Sequence, residues 1–140
     1  MNRQYAVLGM GRFGESVARS LQDQGCEVIV VDDSMEKIDD MADAVSYAMC
    51  ADFNDPDVIN ALGARELDGV VVAVAGDLES SIMATLLSKE AGVPYILAKA
   101  RDDRHAAILK KIGADEVVFP EKEMGIRTAR HLIKHTDNEQ

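Results

Sequence analysis

The residues best suited to chemistry in this chain are three glycines near its start. Gly9, Gly11 and Gly14 have the spacing G-x-G-x-x-G, with an apolar run before them and a helical pattern after them. In this setting the first glycine allows a tight turn, the second lets the backbone approach a pyrophosphate, and the third lets the helix pack closely on the strand. The N–H groups at the helix start then face the anion. The alternative is a glycine-rich turn that binds nothing.

An acidic residue completes this pattern. The next predicted strand ends in Asp32, 18 residues after Gly14, where a carboxylate can accept hydrogen bonds from a ribose diol. Its charge would repel a 2′-phosphate, which argues against NADP. Asp33 and Ser34 either join the site or only cap the next helix, because Glu36 stands three residues after Asp33. Together these residues predict a nucleotide site.

Short β-branched runs alternate with amphipathic helical stretches along the chain. The predicted strands are 5–9, 27–32, 47–51, 69–75, 95–100 and 116–119. The predicted helices are 12–24, 35–44, 56–62, 78–91, 103–112 and 122–135. This alternation predicts an α/β fold of the Rossmann type, a single domain with a doubly wound, six-stranded parallel sheet in the order 3-2-1-4-5-6. Ligands of such sheets lie beyond the carboxyl ends of the strands, so we expect the functional residues there.

The ends of the first four strands carry candidate contacts. Arg12 and Phe13 lie inside the glycine loop, where the Arg12 guanidinium can reach a phosphate or a charged neighbour across an interface, or can simply be solvated. After strand 3, Asp52 can accept from the amino group of an adenine that Phe53 covers, or Asp52 is a plain turn residue. Small residues at the end of strand 4 leave room for ribose and phosphates: Val74, Ala75 and Gly76.

The ends of the last two strands carry charge. Lys99 and Arg101, on either side of Ala100, predict a polyphosphate site, and His105 follows about one helical turn later as a candidate ligand contact. The alternative is a salt-bridged surface. Glu121 after strand 6 is suited to a metal ion bridged to phosphates, or to a basic residue of a neighbouring subunit.

Composition narrows the class of protein. The 140 residues are 47% hydrophobic and 29% charged with a net charge of −10, which predicts a soluble domain and, without a basic block, argues against nucleic-acid binding. Cys26 and Cys50 lack metal or disulfide spacing and suit a reducing compartment. The chain opens directly into a strand, and its longest apolar run, 70–75, is too short to span a bilayer. We therefore expect a cytosolic protein that reaches a membrane only through a partner.

The sequence favours a binding module over an enzyme. An oxidoreductase on this fold needs a substrate domain and an acid/base residue facing the nicotinamide, and neither is evident after residue 119. A small NAD-dependent oxidoreductase domain is the alternative.

Motifs over nearly the whole chain resemble the KTN/RCK nucleotide-binding domain of the TrkA-N type, especially that of the Ktr-type regulatory subunits of bacterial potassium uptake systems. They are G-M-G-R-F-G at 9–14, V-D at 31–32, A-D at 51–52, V-A at 74–75, A-K-A at 98–100, K-I-G-A-D at 111–115 and P-E-K-E-M-G at 120–125. Residues 1–135 would form this domain. The tail 136–140 would be a frayed end, or the point where a longer chain with the family's C-terminal ligand domain was cut.

The resemblance implies a function and a set of contacts. Dimers would assemble into a cytosolic ring docked on the inner face of the membrane under a potassium transporter, and ATP or ADP, or NAD(H) as in some relatives, would bind in the cleft and change the shape of the ring. The family's phosphate contact falls on Arg12 and its ribose acid on Asp32. Its further contacts fall on Asp52, Lys99, Ala100, Arg101, His105 and Glu121. Phe53 stands where the family commonly has a small residue, so the resemblance does not place the adenine.

Overall fold

Six strands pair in parallel into one sheet, with the order β3-β2-β1-β4-β5-β6 that the alternating pattern predicts. The computed structural model describes residues 2–74 and 76–138. The strands are β1 (Gln4–Leu8), β2 (Glu27–Asp32), β3 (Tyr47–Cys50), β4 (Gly69–Val72), β5 (Ile96–Lys99) and β6 (Glu116–Val118). The helices are α1 (Arg12–Asp23), α2 (Met35–Met41), α3 (Pro56–Ala61), α4 (Leu78–Glu90), α5 (Asp103–Ile112) and α6 (Pro120–Asn138).

The central strand β1 shows why the sheet is covered on both faces. Ala6, Val7 and Leu8 are all 0% exposed, and their side chains alternate between the two faces as the pleat requires. Ala6 and Leu8 belong to the core that α3, α4 and α5 cover, whereas Val7 belongs to the core that α1 and α2 cover. Burial on both faces explains why this strand is continuously apolar.

The register brings the strand ends to one edge. Leu8 pairs with Val31 of β2 and with Val72 of β4, so these three strands end side by side. Hydrogen bonds continue just past the ends, from the Gly9 N–H to the Val31 carbonyl at 2.9 Å and from the Ala73 N–H to the Leu8 carbonyl at 2.8 Å. The glycine loop therefore leaves the sheet at its centre, between β2 and β4.

The predicted elements all occur, with ends that differ by a few residues. The largest strand difference is in β4, which ends at Val72 rather than at residue 75; Ala75 itself lies outside the described residues. The largest helix difference is in α6, which begins at Pro120 and continues to Asn138, so residues 136–138 are helical rather than a frayed tail. Proline suits a first helical turn, and the Thr136 hydroxyl donates to the Leu132 carbonyl at 3.1 Å.

Helix α6 is the one helix without a buried residue in the described part of the chain. Its large apolar side chains are exposed, namely Met124, Ile126, Leu132 and Ile133. These side chains do not cover the sheet of their own chain. Among the described residues, no helix combines the length and the apolar character needed to cross a bilayer.

Candidate functional site

The glycine loop has the tight geometry that its spacing predicts. Gly9 has a φ of +98°, a region that favours glycine, and a Cβ there would lie 3.1 Å from the Ala73 carbonyl oxygen. A Cβ on Gly14 would lie 2.0 Å from the carbonyl oxygen of Gly9, which no side chain can tolerate. The turn and the start of α1 are therefore in direct backbone contact, and glycine is needed at both positions.

The N-terminus of α1 differs from those of the next four helices. Its N-cap is Gly11, in an extended conformation, and no side chain caps it. In contrast, side chains accept from the first-turn N–H groups of α2 to α5, in order Ser34, Asp55, Asp77 and Asp102. The first N–H groups of a helix lack partners within the helix, so the start of α1 leaves donors available to an anion.

The Asp32 carboxylate is held beside this loop. It is only 7% exposed; one oxygen accepts the Met10 N–H at 2.7 Å and the other accepts the Ser34 N–H at 2.8 Å. Each oxygen keeps a further lone pair, because a carboxylate offers about four acceptor positions. Asp32 thus ties the glycine loop to the end of β2 and can still accept from a ligand hydroxyl.

A cavity of about 200 Å³ lies over these groups. We call it the glycine-loop cavity; it is lined by Gly9, Met10, Gly11, Asp32, Asp33, Lys37, Phe53, Ala73, Val74, Asp77 and Ser80. Phe53 forms part of its wall while also packing against the core, as a ring-covering residue would. Met10, Lys37, Ala73, Asp77 and Ser80 were not among the predicted site residues.

Several predicted contacts are not in this wall. Arg12 is exposed and has no hydrogen bond or ion pair in the described part of the chain. Phe13 of α1 packs into the core that α1 and α2 cover. Ser34 caps α2 by accepting from the Lys37 N–H at 3.4 Å. Asp52 is exposed, and its side chain accepts the Asn54 N–H at 2.9 Å, which is the turn role that the sequence left open.

A second cavity of about 230 Å³ lies at the ends of β4 and β5. We call it the histidine cavity; it is lined by Val74, Gly76, Asp77, Leu78, Lys99, Ala100, Arg101, His105 and Glu121. The two cavities share Val74 and Asp77, so they are neighbours along the same edge. Each is smaller than the ~300–1,000 Å³ typical of ligand pockets, so an extended ligand would have to use both.

Two of the charged side chains of the histidine cavity are paired with each other. Lys99 Nζ lies 3.2 Å from Glu121 Oε1, with 16% of the lysine and 80% of the glutamate side chain exposed. The Glu121 backbone N–H and the Lys99 ammonium lower the pKa of the Glu121 carboxyl. The salt-bridged alternative is therefore realised at Lys99, while Arg101 remains exposed at the rim.

His105 is buried in the wall of this cavity, at 5% exposure. Its Nδ1 accepts the Arg101 N–H at 3.0 Å, and its Nε2 lies 3.0 Å from Ser81 Oγ. Both ring nitrogens thus have protein partners, and neither is free for a ligand. Burial lowers the pKa of His105.

A short chain of hydrogen bonds joins the β3–α3 loop to the wall between the cavities. Asn54 Nδ2 donates to Ser80 Oγ at 3.0 Å, and the Ser80 hydroxyl donates to Asp77 Oδ2 at 2.7 Å. The Ser80 hydroxyl and then its N–H lower the pKa of Asp77, which stays ionised beside both cavities. The D-x-x-S spacing of a helix cap was the available signal for Asp77, whereas Lys37 is an ordinary exposed lysine with no sequence signal.

The described residues contain no group of three or more His, Cys, Asp or Glu side chains arranged to hold a metal ion. A cation at Glu121 would need further ligands from bound phosphates or from another chain, and it stays a prediction.

Comparisons with known proteins agree with this architecture. The TrkA-N domain family matches residues 5–120. The chain is 39% identical over 135 residues to the Ktr system potassium uptake protein C of Bacillus subtilis (strain 168), covering 96% of this chain and 61% of that protein. It is 41% identical over 132 residues to the Ktr system potassium uptake protein A of Vibrio alginolyticus, covering 94% and 60%. The chain thus spans about three-fifths of the length of these relatives.

Solved structures show the same fold. The NAD(P)-binding domain of an exopolyphosphatase-related protein from Archaeoglobus fulgidus superposes with a TM-score of 0.83 at 22% identity, covering 95% of this chain and 99% of that chain. The Shewanella denitrificans Kef CTD in its AMP-bound form superposes with a TM-score of 0.70 at 25% identity, covering 93% and 81%.

Proposed function

The chain belongs to the TrkA-N domain family, and from that premise we propose that it is a nucleotide-sensing regulatory domain of a membrane potassium uptake system. The observation that carries the proposal is the start of α1: an uncapped helix behind a tight glycine turn, with a buried carboxylate beside it. This is the arrangement that binds the phosphates and ribose of a nucleotide. ATP or ADP is the ligand we favour, with NAD(H) as the alternative.

The glycine-loop cavity would hold the adenosine part of the ligand. Asp32 would accept from the ribose hydroxyls, Phe53 would cover the adenine, and the N–H groups of α1 would bind the first phosphate. The structurally similar Kef CTD was solved in an AMP-bound form, which supports an adenine nucleotide as the ligand. Further phosphates, or a nicotinamide half, would extend past Val74 toward the histidine cavity.

Sensing requires a contact that differs between ligands. Adenine and ribose are common to ATP and ADP, so only the γ-phosphate can bias the domain between two conformations. Arg12, the first residue of α1, is exposed and has no hydrogen bond or ion pair among the described residues. We propose that it meets the terminal phosphate, from its own chain or from a facing copy, and supplies that differential contact.

The state of His105 supports a binding role rather than an enzymatic one. It is the imidazole of this cleft and the natural candidate for acid/base chemistry, yet both of its ring nitrogens bond to the protein. Among the described residues, no observation favours the oxidoreductase alternative over the regulatory one.

The exposed apolar side chains of α6 support assembly with a second copy. Met124, Ile126, Leu132 and Ile133 are 46–62% exposed and lie along one helix. A helix with exposed apolar side chains of this size is suited to packing on a partner. We propose that the chain forms dimers through it, that dimers assemble into a ring, and that the ring acts in the cytoplasm on a membrane potassium-translocating subunit.

Isothermal titration of the chain with ATP, ADP and NADH tests the proposal. We expect ATP and ADP to bind with different affinities, and Arg12→Ala to abolish that difference, because a charge-assisted phosphate contact contributes about 10- to 100-fold in affinity. Arg19→Ala is the matched control, since Arg19 is an exposed arginine on the same helix that pairs with Glu15 at 3.1 Å.

Three outcomes would count against parts of the proposal. Equal loss of ATP and ADP binding in Arg12→Ala would contradict the role of Arg12. Tight NADH binding with weak ATP binding would favour a redox sensor and reopen the oxidoreductase alternative. Absence of binding by all three nucleotides would overturn the proposed function.

A further inference from the structure

His105 connects three elements at one point of the ligand edge. It lies in the first turn of α5, where its N–H donates to the capping carboxylate of Asp102 at 2.8 Å. Its ring reaches Ser81 of α4, which is 1% exposed, and the backbone N–H of Arg101 in the β5–α5 loop. The imidazole therefore joins α4, α5 and that loop at the wall of the histidine cavity.

The contacts of the ring assign its proton. A backbone N–H can only donate, so Nδ1, which accepts from Arg101, carries no proton. In the neutral ring Nε2 must then carry the proton, and it donates to Ser81 Oγ. This tautomer satisfies both nitrogens, whereas an imidazolium would direct a second N–H at the N–H of Arg101.

We propose that His105 is a positioning residue whose neutral ring holds Arg101 in place, so that the ligand beyond its adenosine monophosphate part binds well only while His105 is neutral. This inference rests on the proposed nucleotide function. It replaces the expectation that His105 contacts the ligand directly, because neither ring nitrogen is free to do so.

The burial of the His105 ring and the charged groups around it determine the pH range in which the ring is neutral. The charged groups around the ring are Asp77 at the start of α4, Lys99 of β5, Arg101 and Asp102 of the loop, and Glu121 of α6. Burial lowers the pKa of His105, the charge of Asp102 opposes this, and the charge of Arg101 adds to it. The ring is therefore neutral at pH 7.5, and it charges only below the ordinary histidine pKa of about 6.5.

The positioning role and direct contact predict opposite signs. If His105 positions Arg101, acidification breaks the Arg101 hydrogen bond and weakens ADP binding. If the imidazolium itself bound a phosphate, acidification would strengthen ADP binding. The pH dependence of affinity therefore separates the two roles.

Two substitutions separate the two hydrogen bonds that the His105 ring makes. His105→Asn keeps an oxygen near the position of Nδ1 that can accept the Arg101 N–H, whereas His105→Gln keeps a donor near the position of Nε2 that can reach Ser81. At pH 7.5 we expect ADP affinity to fall about tenfold in His105→Gln, the loss of roughly one hydrogen bond, and to stay near wild type in His105→Asn. AMP is the control ligand, and its affinity should change in neither variant.

The pH profile completes the titration. Between pH 7.5 and 5.5, the ratio of wild-type to His105→Asn affinity for ADP should fall, because the wild-type ring charges and loses its bond to the Arg101 N–H whereas asparagine does not titrate. The titration of ADP itself cancels in that ratio. A ratio that rises on acidification, or His105→Asn and His105→Gln losing ADP affinity equally, would overturn the proposal.

Amide hydrogen exchange of Arg101, measured by NMR without ligand, provides a second readout. Exchange should be slow in the wild type and in His105→Asn, and faster in His105→Gln; equal rates in all three would overturn the proposal. If the wild type binds neither ADP nor AMP, the proposed function fails and the ligand part of this inference fails with it. Arg101 exchange would still decide whether His105 holds the loop.

Discussion

The two cavities at the carboxyl edge of the sheet are built in opposite ways. In the glycine-loop cavity, polar groups at the glycine turn are left available: α1 has no capping side chain, and Asp32 keeps acceptor positions. In the histidine cavity, three of the lining side chains are bonded within the protein: His105 to Ser81 and to the Arg101 N–H, and Lys99 to Glu121. The first arrangement is suited to binding, and the second is suited to holding a shape.

The two cavities also differ in whether the adjacent helix starts have a capping side chain. Helices α2 to α5 each have the capping side chain that stabilises a helix start by about 0.5–2 kcal/mol. Helix α1 forgoes this contribution where the glycine turn brings the backbone against Ala73. Proteins break local rules of this kind mainly at functional sites, so the missing cap distinguishes the glycine-loop cavity from the histidine cavity.

The largest effect should come from disturbing the close contact between the glycine turn and the start of α1. Gly14→Ala would place a Cβ 2.0 Å from the Gly9 carbonyl oxygen, so the turn or α1 must move. We expect the free energy of unfolding to fall by about 3 kcal/mol or more, measured by urea denaturation.

Gly125→Ala is the matched control for this substitution. Gly125 lies within α6 with no neighbouring atom within 4 Å of a Cβ. Alanine there should leave stability unchanged or raise it by up to about 1 kcal/mol, since alanine favours a helix. Equal effects of the two substitutions would show that the contact between the turn and α1 is not essential.

The next effect should come from Asp32. Asp32→Ala leaves the Met10 and Ser34 N–H groups without their acceptor, which should cost about 1–3 kcal/mol of stability. It should also reduce AMP affinity at least tenfold in titration calorimetry, because the bonds to the ribose are lost. Asp39→Ala is the control, as Asp39 is an exposed aspartate of α2 outside the lining of the glycine-loop cavity. If AMP binds both variants equally, Asp32 serves only to hold the loop.

The fold and the glycine-loop cavity were predictable for a common reason. Local patterns specify them: alternating strands and helices give the sheet order, and the spacing from Gly9 to Asp32 gives the carboxylate beside the turn. A turn between adjacent strands needs no knowledge of distant packing. Strand ends were less predictable, because Ala73 still donates to Leu8 beyond the end of β4 although the regular ladder has stopped.

The histidine cavity was predictable only as a set of residue types. Lys99, Arg101, His105 and Glu121 do meet at one cavity. Two of the contacts join residues 22 to 24 positions apart, Lys99 of β5 with Glu121 of α6 and Ser81 of α4 with His105 of α5, so they depend on how these elements pack. Periodicity shows which face of a helix is buried but not which partner each polar group finds. His105 was therefore expected as a ligand contact when the structure shows it fully engaged by the protein.

The smallest effect on stability, and the sharpest test of the comparison, should come from the Lys99–Glu121 pair. Glu121 is 80% exposed, so Glu121→Gln should change the free energy of unfolding by less than about 1 kcal/mol. Without divalent cations the substitution releases the Lys99 ammonium, and ADP affinity should rise severalfold in titration calorimetry. Glu123→Gln is the control, because it removes the same charge from the first turn of α6 without disturbing Lys99.

The same titration decides whether the pair only supports the cleft or takes part in binding. If Glu121 and Lys99 merely neutralise each other, adding Mg²⁺ should affect ADP binding equally in the wild type and in Glu121→Gln. If Glu121 instead holds a cation bridged to the phosphates, Mg²⁺ should strengthen ADP binding in the wild type and much less in the variant, because a carboxylate is a preferred ligand of that ion. The second result would make Glu121 a binding residue of the histidine cavity, and the contrast between the two cavities would then hold for His105 but not for Glu121.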